Sequence, residues 1–577
     1  MEATRTDTKK NEMKYEKSEL ELMTTYQLRE ICRREKIMNG VIHPLDKEEL
    51  IQTIMRYMGK RQDFLICDRK KGGEERVEEF LKNTRIVIKP SEELYCQSQI
   101  LAYEGLSIEY YDGYTIPYKK ELSGTNAFLM GSDMTLCAIL NLKEHGGRQE
   151  KLYLTKAAEL EIRETQRKDY RIFCMGRQTS ESLYHLYYGE HTILPEHIEV
   201  YSIPLIDFVV RKPVTLMLPM AIDFGSVNTT AGVYLDSAYF EHVGQQAAIK
   251  NCRENEINYT VFEDGAGESM LLPSVIGVLA VEEEDDKLLF GYDAIRLANA
   301  SYVDEGFCVF YDVKRWIGEY EKEEEIVDRQ GRRRLVKRAE ILRRFFLYII
   351  RKTENRFKCR ISQVHISSPV KQKHYFRRMF REILPEYMAG QETMLDEGMA
   401  VLYNTISNML EQETLEENEE YEALIIDCGG GTTDLCSYRF RIQDRRAAYK
   451  IYMETAYENG DTDFGGNNLT YRIMQILKIA LVRAKGNQNV SSVKEILEYM
   501  DTDIYRFIDS HGVKAFYQYL EQEYQKAEET LPTRFADFER YNRSEYYKVK
   551  NNFYTLFNTA EQIKKLFYGK VGALEVT

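Results

Sequence analysis

The stretch Met220-Ala-Ile-Asp-Phe-Gly-Ser-Val-Asn-Thr-Thr-Ala-Gly-Val-Tyr-Leu235 decides the fold of the larger part of this chain. An apolar run, a short polar turn and a second apolar run predict a β-hairpin with Gly225 at the bend. Because glycine leaves the backbone open, the amides of Gly225 to Asn228 and the hydroxyl of Ser226 can donate to phosphate oxygens. Asp223 ends the first strand, where a carboxylate can hold a hydrated Mg²⁺. The stretch therefore predicts a phosphate-binding hairpin.

A second stretch, Ala423-Leu-Ile-Ile-Asp-Cys-Gly-Gly-Gly-Thr-Thr-Asp-Leu-Cys-Ser-Tyr438, repeats this design. A buried strand again ends in an aspartate, Asp427, and glycines, hydroxyls and a second strand follow it. Successive glycines leave backbone donors unshielded, and the threonines add hydroxyl donors. Two such hairpins predict two lobes that clamp one polyphosphate. The candidate phosphate ligands of the second turn are Gly429, Gly430, Gly431, Thr432 and Thr433.

Other interpretations of these turns are weaker. A single Asp-x-Gly turn is commonplace, Gly-Gly-Gly alone is usually a flexible loop, and Asp223-Phe-Gly225 also occurs in kinases as a metal motif. However, the sequence has no His-Arg-Asp catalytic loop and no G-x-x-x-x-G-K-[ST] phosphate loop, and Gly265-Ala-Gly267 is not followed by the third glycine of a kinase glycine loop. The pairing of two matched hairpins therefore favours the polyphosphate clamp.

Around the hairpins, the chain resembles the 70-kDa heat-shock chaperone (DnaK-like) family of the actin-like ATPase superfamily. The segment that begins at Tyr311 closely resembles the family's Phe-Asp-x-Lys-Arg-Leu-Ile-Gly, and the other similar segments follow in the family's order between Met220 and Leu566. These segments are Leu272-Pro-Ser-Val275, Phe290-Gly-Tyr-Asp-Ala294, Tyr311-Asp-Val-Lys-Arg-Trp-Ile-Gly318, Val364-His-Ile-Ser-Ser-Pro369, Asp396-Glu-Gly-Met-Ala400, Gly460-Asp-Thr-Asp-Phe-Gly-Gly-Asn-Asn468 and Ala560-Glu-Gln-Ile-Lys-Lys-Leu566.

The resemblance implies an α/β, actin-like ATPase fold of two lobes with ribonuclease-H-like mixed sheets over residues 214–577. It also implies a helical insertion at about 467–559, which is rich in Tyr, Glu and Lys. The family's domain continues to a last glycine-rich adenosine loop beyond the point matched by Thr577. We therefore expect this domain to be incomplete at its C-terminus, where Leu574-Glu-Val-Thr577 is typical of the start of a strand.

The resemblance also implies the nucleotide, ATP or ADP with Mg²⁺, and the roles of the site residues. Lys314 would position or activate the attacking water, and Asp434 would orient the water and the metal shell. Asp223, Glu397 and Asp427 would hold Mg²⁺, largely through waters. The remaining residues would bind the nucleotide. They are Gly225, Ser226, Val227, Asn228, Gly429, Gly430, Gly431, Thr432 and Thr433 at the phosphates, and Gly465, Gly466, Glu561 and Lys564 towards the nucleoside.

Three features leave alternatives open. Gly398-Met399 stands where the family has Pro-Thr, and Asn467-Asn468 replaces an acidic pair. Helices often carry Glu and Lys three residues apart, so Glu561 and Lys564 also fit an ordinary surface pair.

The function expected from the resemblance is slow, Mg²⁺-dependent ATP hydrolysis that drives closure of the lobes in a chaperone-type protein, while the N-terminal domains select the partner. The alternatives are a nucleotide-dependent scaffold or filament of the actin type, and a nucleotide-binding regulator without hydrolysis. The segment around Lys314 favours the chaperone branch over the filament.

Two smaller regions precede this part. Residues 1–61 hold a charged N-terminus and a helix–loop–helix, in which Thr24 caps a helix bearing Leu28 and Ile31 and a second helix starts near Asp46. This module resembles the SAP and Rho-N-terminal-like modules, and contact of residues 19–59 with nucleic acid and contact with protein both remain open. Residues 62–213 predict a β-rich recognition domain. Its predicted strands are Arg85-Ile-Val-Ile-Lys89, Phe128-Leu-Met130, Leu136-Cys-Ala-Ile-Leu-Asn-Leu142, Lys151-Leu-Tyr-Leu154 and Ile198-Glu-Val-Tyr-Ser-Ile203.

The bulk properties of the 577 residues predict a cytoplasmic protein of several domains. The formal net charge of −14 argues against a surface that grips nucleic acid throughout. No apolar run approaches the roughly 20 residues that span a bilayer, and residues 1–17 lack the apolar core of a signal peptide. The ten cysteines form no C-x-x-C pair, which favours reduced thiols over a zinc site.

Overall fold

The computed structural model describes most of the chain. The described ranges are 20–34, 64–145, 149–244, 246–264, 267–282, 286–299, 308–328, 331–369, 372–388, 396–431, 433–444, 448–461, 465–499, 512–534 and 543–567, with the single positions 47, 50, 51, 54, 506, 509 and 510. Over these ranges the protein is mixed α/β. No helix in them is long and apolar enough to cross a membrane.

The N-terminal module has a small apolar core. Helix α1 (Thr25–Arg34) begins after Thr24, whose hydroxyl accepts a hydrogen bond from the Gln27 amide at 3.1 Å, so the predicted cap is confirmed. The helical residues Leu50, Ile51 and Ile54 pack against α1, as their spacing predicts. The loop of the predicted helix–loop–helix lies outside the described residues. The core of the module consists of Leu20, Leu28, Ile31, Cys32, Leu50, Ile51 and Ile54.

A seven-stranded mixed sheet organises the next region, and all five predicted strands are present in it. The strand order is β1-β8-β7-β4-β5-β6-β3. Helices α2 (Gly73–Asn83) and α3 (Arg177–Tyr188) cover one face, and the parallel pair β2–β9 covers the other. The strands are β1 Arg85–Ile88, β2 Gln99–Tyr103, β3 Thr115–Pro117, β4 Thr125–Gly131, β5 Leu136–Lys143, β6 Lys151–Thr155, β7 Tyr170–Met175, β8 His197–Leu205 and β9 Asp207–Arg211.

The first phosphate hairpin lies at the centre of a second mixed sheet. Strand β11 pairs antiparallel with β12 and parallel with β23, and β13 and β16 extend the sheet beyond β12. The strands of this region are β10 Val214–Leu216, β11 Met220–Phe224, β12 Asn228–Leu235, β13 Glu256–Tyr259, β14 Phe262–Glu263, β15 Glu268–Ser269, β16 Leu272–Pro273, β17 Ile276–Ala280, β18 Lys287–Phe290, β19 Val309–Phe310, β20 Glu323–Val327, β21 Arg333–Lys337, β22 Cys359–Ile361 and β23 Val364–Ile366.

Four helices accompany this sheet: α4 (Ser237–Val243), α5 (Tyr292–Asn299), α6 (Arg338–Phe357) and α7 (Lys373–Ile383). Helix α6 covers the core face of the sheet, and its Phe346 packs edge-on against Phe224 of β11 with ring centroids 5.0 Å apart.

The C-terminal end of α6 anchors the β-rich region. Just beyond the helix, Lys358 donates a hydrogen bond to Asp112 at 2.9 Å, and both side chains are almost completely buried. The amide of Ser107 donates to Asn355 at 2.9 Å in the same contact. The β-rich region is therefore joined to the first hairpin sheet through a buried polar contact.

The second phosphate hairpin belongs to a three-stranded antiparallel sheet of β24 (Tyr421–Cys428), β25 (Thr433–Asp444) and β26 (Tyr449–Asp461). Helix α8 (Glu397–Glu411) covers one face of this sheet. On the other face, Leu424 and Ile426 are 62% and 64% exposed.

The described part of the segment predicted as a helical insertion consists of helices joined by turns and irregular stretches. Its helices pack around a common apolar core that includes Met474, Leu520 and Leu556. The last helix includes both Glu561 and Lys564, and the predicted strand at 574–577 lies outside the described residues. The helices are α9 Gly466–Ala484, α10 Val493–Tyr499, α11 Val513–Lys526 and α12 Arg543–Phe567.

Candidate nucleotide site

The first turn is closed by its own backbone. The amide of Gly225 donates to the carbonyl of Asn228 at 3.1 Å, and Asp223 stands opposite Thr230 in the register of the hairpin. A Cβ atom at position 225 would lie 2.4 Å from the carbonyl oxygen of Asn228, which no L side chain tolerates. Glycine is therefore required by the tight turn. In the structure the turn itself uses the Gly225 amide, and the role of this amide as a phosphate donor stays a prediction.

The second turn is held by the start of helix α9. The carbonyl of Gly429 accepts from the amide of Gly466 at 2.9 Å, and the carbonyl of Gly430 accepts from the amide of Asn467 at 2.6 Å. A Cβ atom at Gly465 would lie 2.8 Å from both carbonyl oxygens. The glycines of the turn and those before α9 thus permit one close backbone contact, which places the helix N-terminus beside the turn. Thr432 lies outside the described residues.

The two turns face each other directly. A Cβ atom at Gly430 would lie 2.4 Å from the Cγ2 atom of Val227, and one at Gly431 would lie 2.9 Å from the Oγ atom of Ser226. Residues that are far apart in the sequence therefore meet at one point between the two hairpin sheets. The arrangement brings together the residues that the sequence assigns to the phosphates of a single nucleotide.

Lys314 and Glu397 form an ion pair beside the turns. Their Nζ and Oε1 atoms are 2.9 Å apart, and the side chains are only 8% and 12% exposed. Lys314 lies in a 3₁₀ segment, Val313–Glu319, and Glu397 is the first residue of α8. The pair therefore joins an element of the first hairpin region to the helix that covers the second hairpin sheet.

Carboxylates concentrate negative charge around this pair. Burial raises the pKa of Glu397 to about 7; the charge of Lys314 opposes this shift, and Asp223 and Asp434 add to it. Burial also raises the pKa of Asp427, again with a contribution from Asp223 and opposition from Lys314. These shifts show that four acidic groups and one lysine share a single electrostatic environment.

The acidic group fits a hydrated cation better than a directly bound one. Among the described residues, no group of three His, Cys, Asp or Glu side chains has the arrangement of direct metal ligands. Burial is the main cause of the raised pKa values of Glu397 and Asp427, and the neighbouring carboxylates add to it; a cation at this place would oppose both shifts. Mg²⁺ keeps several of its waters when it binds carboxylates and phosphates. Asp223, Glu397 and Asp427 thus suit a magnesium ion that is held through water.

Glu561 and Lys564 are not an ordinary surface pair. The two side chains lie 2.6 Å apart, and both reach from α12 to Thr470 on α9, with distances of 2.6 Å from Glu561 and 2.8 Å from Lys564. Lys564 also donates to the carbonyl of Gly466 at 3.4 Å. These contacts place Lys564 beside Gly466, one of the glycines that meet the second turn, and Glu561 one contact further away, at Thr470.

Several contacts of the site are absent from the predictions. Ser367 donates a hydrogen bond to Asp223 at 3.0 Å. Tyr311, just before Lys314, stacks on Tyr554 of α12 and accepts a hydrogen bond from Asn558. Trp316 packs edge-on against Phe310 and under the guanidinium of Arg338. The sequence indicated Tyr311 and Trp316 only through their place in the segment around Lys314. The contact of Ser367 becomes evident only in the folded sheet.

Comparison with models of known protein families finds no family that matches the chain, and a search of the curated proteins finds no match.

Proposed function

We propose that the protein binds ATP with Mg²⁺ and hydrolyses it slowly, in an actin-like, DnaK-like nucleotide-binding domain of two lobes. The observation that supports this best is the contact between the two turns, with Ser226 and Val227 on one side and Gly430 and Gly431 on the other. A polyphosphate needs several converging donors and a cation to balance its charge. Donors of the two turns, such as the hydroxyl of Ser226, and the ammonium of Lys314 would bind the phosphates, and the carboxylates would retain the cation.

Lys314 is the residue on which hydrolysis would depend. Phosphoryl transfer is catalysed mainly by positioning and by electrostatic stabilisation of the charge on the transferred group. The Lys314 ammonium lies in a largely buried place and is oriented by Glu397. There it would offset the charge of the γ-phosphoryl group and hold the attacking water in line. When bound, Mg²⁺ would neutralise charge on the phosphate oxygens.

The β-rich region would couple the ATP cycle to the binding of a partner. Closure of the lobes around ATP would move the two hairpin sheets relative to each other. The β-rich region is joined to one of them through Lys358 and Asp112. It would therefore follow that motion in a cytoplasmic chaperone-type protein and present its own surface to a partner. Contact of residues 19–59 with nucleic acid would be a separate property.

ATP turnover by the full chain tests the proposal. We expect Lys314→Ala and Asp223→Ala each to lower turnover about a hundredfold, as loss of a preorganised charged group does. Lys322→Ala is the matched control, because Lys322 is an exposed lysine close to the same segment and pairs only with Glu319; we expect it to retain wild-type turnover. Equal hydrolysis in all four proteins would refute the assignment.

A further inference from the structure

We propose that Asp396, together with Lys373 and Tyr438, positions Glu397 for its contact with Lys314. The inference rests on the proposed ATPase function and assigns three residues to it that the sequence did not mark. Asp396 immediately precedes Glu397, and its side chain is fully buried. Within the described part of the chain its side chain bonds to Met399, Tyr438 and Lys373 and to neither turn, so it would act through its neighbour.

The carboxylate of Asp396 is bonded on both oxygens to three different elements. Its Oδ1 atom accepts from the amide of Met399 at 2.6 Å, which caps α8, and from the hydroxyl of Tyr438 on β25 at 3.1 Å. Its Oδ2 atom accepts from the ammonium of Lys373, the first residue of α7, at 2.7 Å. One side chain therefore ties the start of α8 to both hairpin regions.

The backbone adds a fourth connection at the same place. The amide of Glu397 donates to the carbonyl of Ser368 at 3.1 Å, just beyond strand β23. Glu397 is thus fixed from both sides, by its own amide and by the cap that precedes it. The hydrogen bonds to the Asp396 carboxylate are charge-assisted, and such bonds are short and directional, so they restrict where the first turn of α8 lies.

Gly398 brings the first turn of α8 close to strand β25. A Cβ atom at position 398 would lie 3.0 Å from the sulfur of Cys436 and 3.2 Å from the hydroxyl of Tyr438. The glycine therefore lets the first turn of α8 approach β25 closely enough for Tyr438 to reach Asp396.

Removal of the Lys373 ammonium should disturb the structure around Asp396. A buried carboxylate that keeps its cap but loses its cation is left with uncompensated charge, so the local structure must adjust. Because Glu397 is the next residue, the adjustment would displace the carboxylate that orients Lys314. Small displacements of catalytic groups are enough to lower rates by one to two orders of magnitude. The effect should appear in the rate of turnover and much less in nucleotide affinity.

The experiment compares the full-length wild type with Asp396→Asn, Lys373→Met, Lys373→Arg and Tyr438→Phe. For each protein, ATP turnover gives kcat and KM, and titration with MgADP gives the affinity. We expect kcat to fall about tenfold to a hundredfold in Asp396→Asn and Lys373→Met, with MgADP affinity within about twofold of wild type. Asparagine still caps the helix, Tyr438→Phe should have a smaller effect, and Lys373→Arg should restore most of the rate.

A double variant separates positioning from general destabilisation. Asp396→Asn with Lys373→Met removes both charges of one pair, so its kcat should be no lower than that of Lys373→Met alone. Lys358→Met breaks the ion pair with Asp112 in the contact with the β-rich region, which is more deeply buried than the Lys373–Asp396 pair, and it should lower the melting temperature without lowering kcat.

Unchanged kcat in Asp396→Asn and Lys373→Met, beside an active wild type, would overturn the positioning role. Losses that simply multiply in the double variant, or an equal loss in Lys358→Met, would also overturn it in favour of destabilisation. No turnover in the wild type itself would instead refute the proposed function, and the inference would fall with it.

Discussion

The two hairpins share one local design but differ in what covers them. Aligned on their aspartates, Met220 and Ile222 of β11 correspond to Leu424 and Ile426 of β24. The first two side chains are buried, whereas the second two are exposed on the surface. Helix α6 covers β11, and β11 pairs with β12 on one side and with β23 on the other. Among the described elements, β24 pairs only with β25 and only one face of its sheet is covered.

This difference shows that the turn and its flanking strands are specified locally, while burial is not. The same alternation of apolar residues supports a hairpin in both places. Whether the strand contributes strongly to stability depends on an element that lies elsewhere in the chain. The comparison therefore predicts equal importance of the two turns for function and unequal importance of the two strands for stability.

The largest expected effect comes from matched truncations in the two strands. Ile222→Ala should lower the free energy of unfolding by about 2–5 kcal/mol, because it leaves a cavity beneath α6. Ile426→Ala should change it by no more than about 0.5 kcal/mol, since its side chain is exposed. Chemical denaturation of both variants measures the two changes. Similar losses would show that β24 is covered in solution and would remove the contrast.

The buried carboxylate of Glu397, beside the two turns, predicts that the stability of the protein depends on pH. The pKa of Glu397 is raised to about 7 in the folded state, above an ordinary value of about 4.3. Between these values the folded state binds more protons than the unfolded state, so stability falls as pH rises. The loss from this group should reach about 3 kcal/mol by pH 7 and then level off.

Glu397→Gln should remove that part of the pH dependence. Unfolding is measured from pH 5 to pH 8 in buffer with a chelator, because a bound cation would oppose the shift. Glu411→Gln is the control, since it changes an exposed glutamate at the other end of α8. If the dependence in Glu397→Gln matches that of the wild type and of the control, Glu397 does not titrate in this range.

The smallest effect distinguishes the glycines of the two turns. Gly225→Ala should cost about 1–3 kcal/mol of stability and impair the first turn, because the new methyl group meets a backbone oxygen that cannot move independently. Gly430→Ala should cost less, since it meets the flexible side chain of Val227. Adding Val227→Ala should restore Gly430→Ala but not Gly225→Ala. Rescue of both, or of neither, would contradict the geometry.

The sequence predicted the features that depend on short-range pattern. The turns after Asp223 and Asp427, the five strands of the β-rich region and the Thr24 cap each follow from a few neighbouring residues. The proximity of Lys314 and Glu397 was different, because it came from resemblance and not from spacing. Nothing in the residues around either one shows that their side chains meet.

The features that the sequence did not reveal all depend on distant partners. Asp396 becomes a connection between elements only when Lys373 and Tyr438 reach it from other parts of the fold. Whether Gly225 shapes the turn or also admits a phosphate could not be decided from the sequence, because a glycine in either role looks the same in a sequence. The exposure of Ile426 could not be predicted, because β24 has the pattern of a covered strand.

One residue near the site gives the protein a built-in optical probe. Trp316 is the only tryptophan among the 577 residues, and it lies two positions after Lys314. Light at the red edge of the absorption band excites tryptophan and spares the 42 tyrosines. The emission spectrum then reports on this one segment, without a label or an engineered substitution. The Arg338 guanidinium lies 5.3 Å from the centre of the indole ring, so a motion that separates the two side chains would change the electric field at the indole and shift its emission.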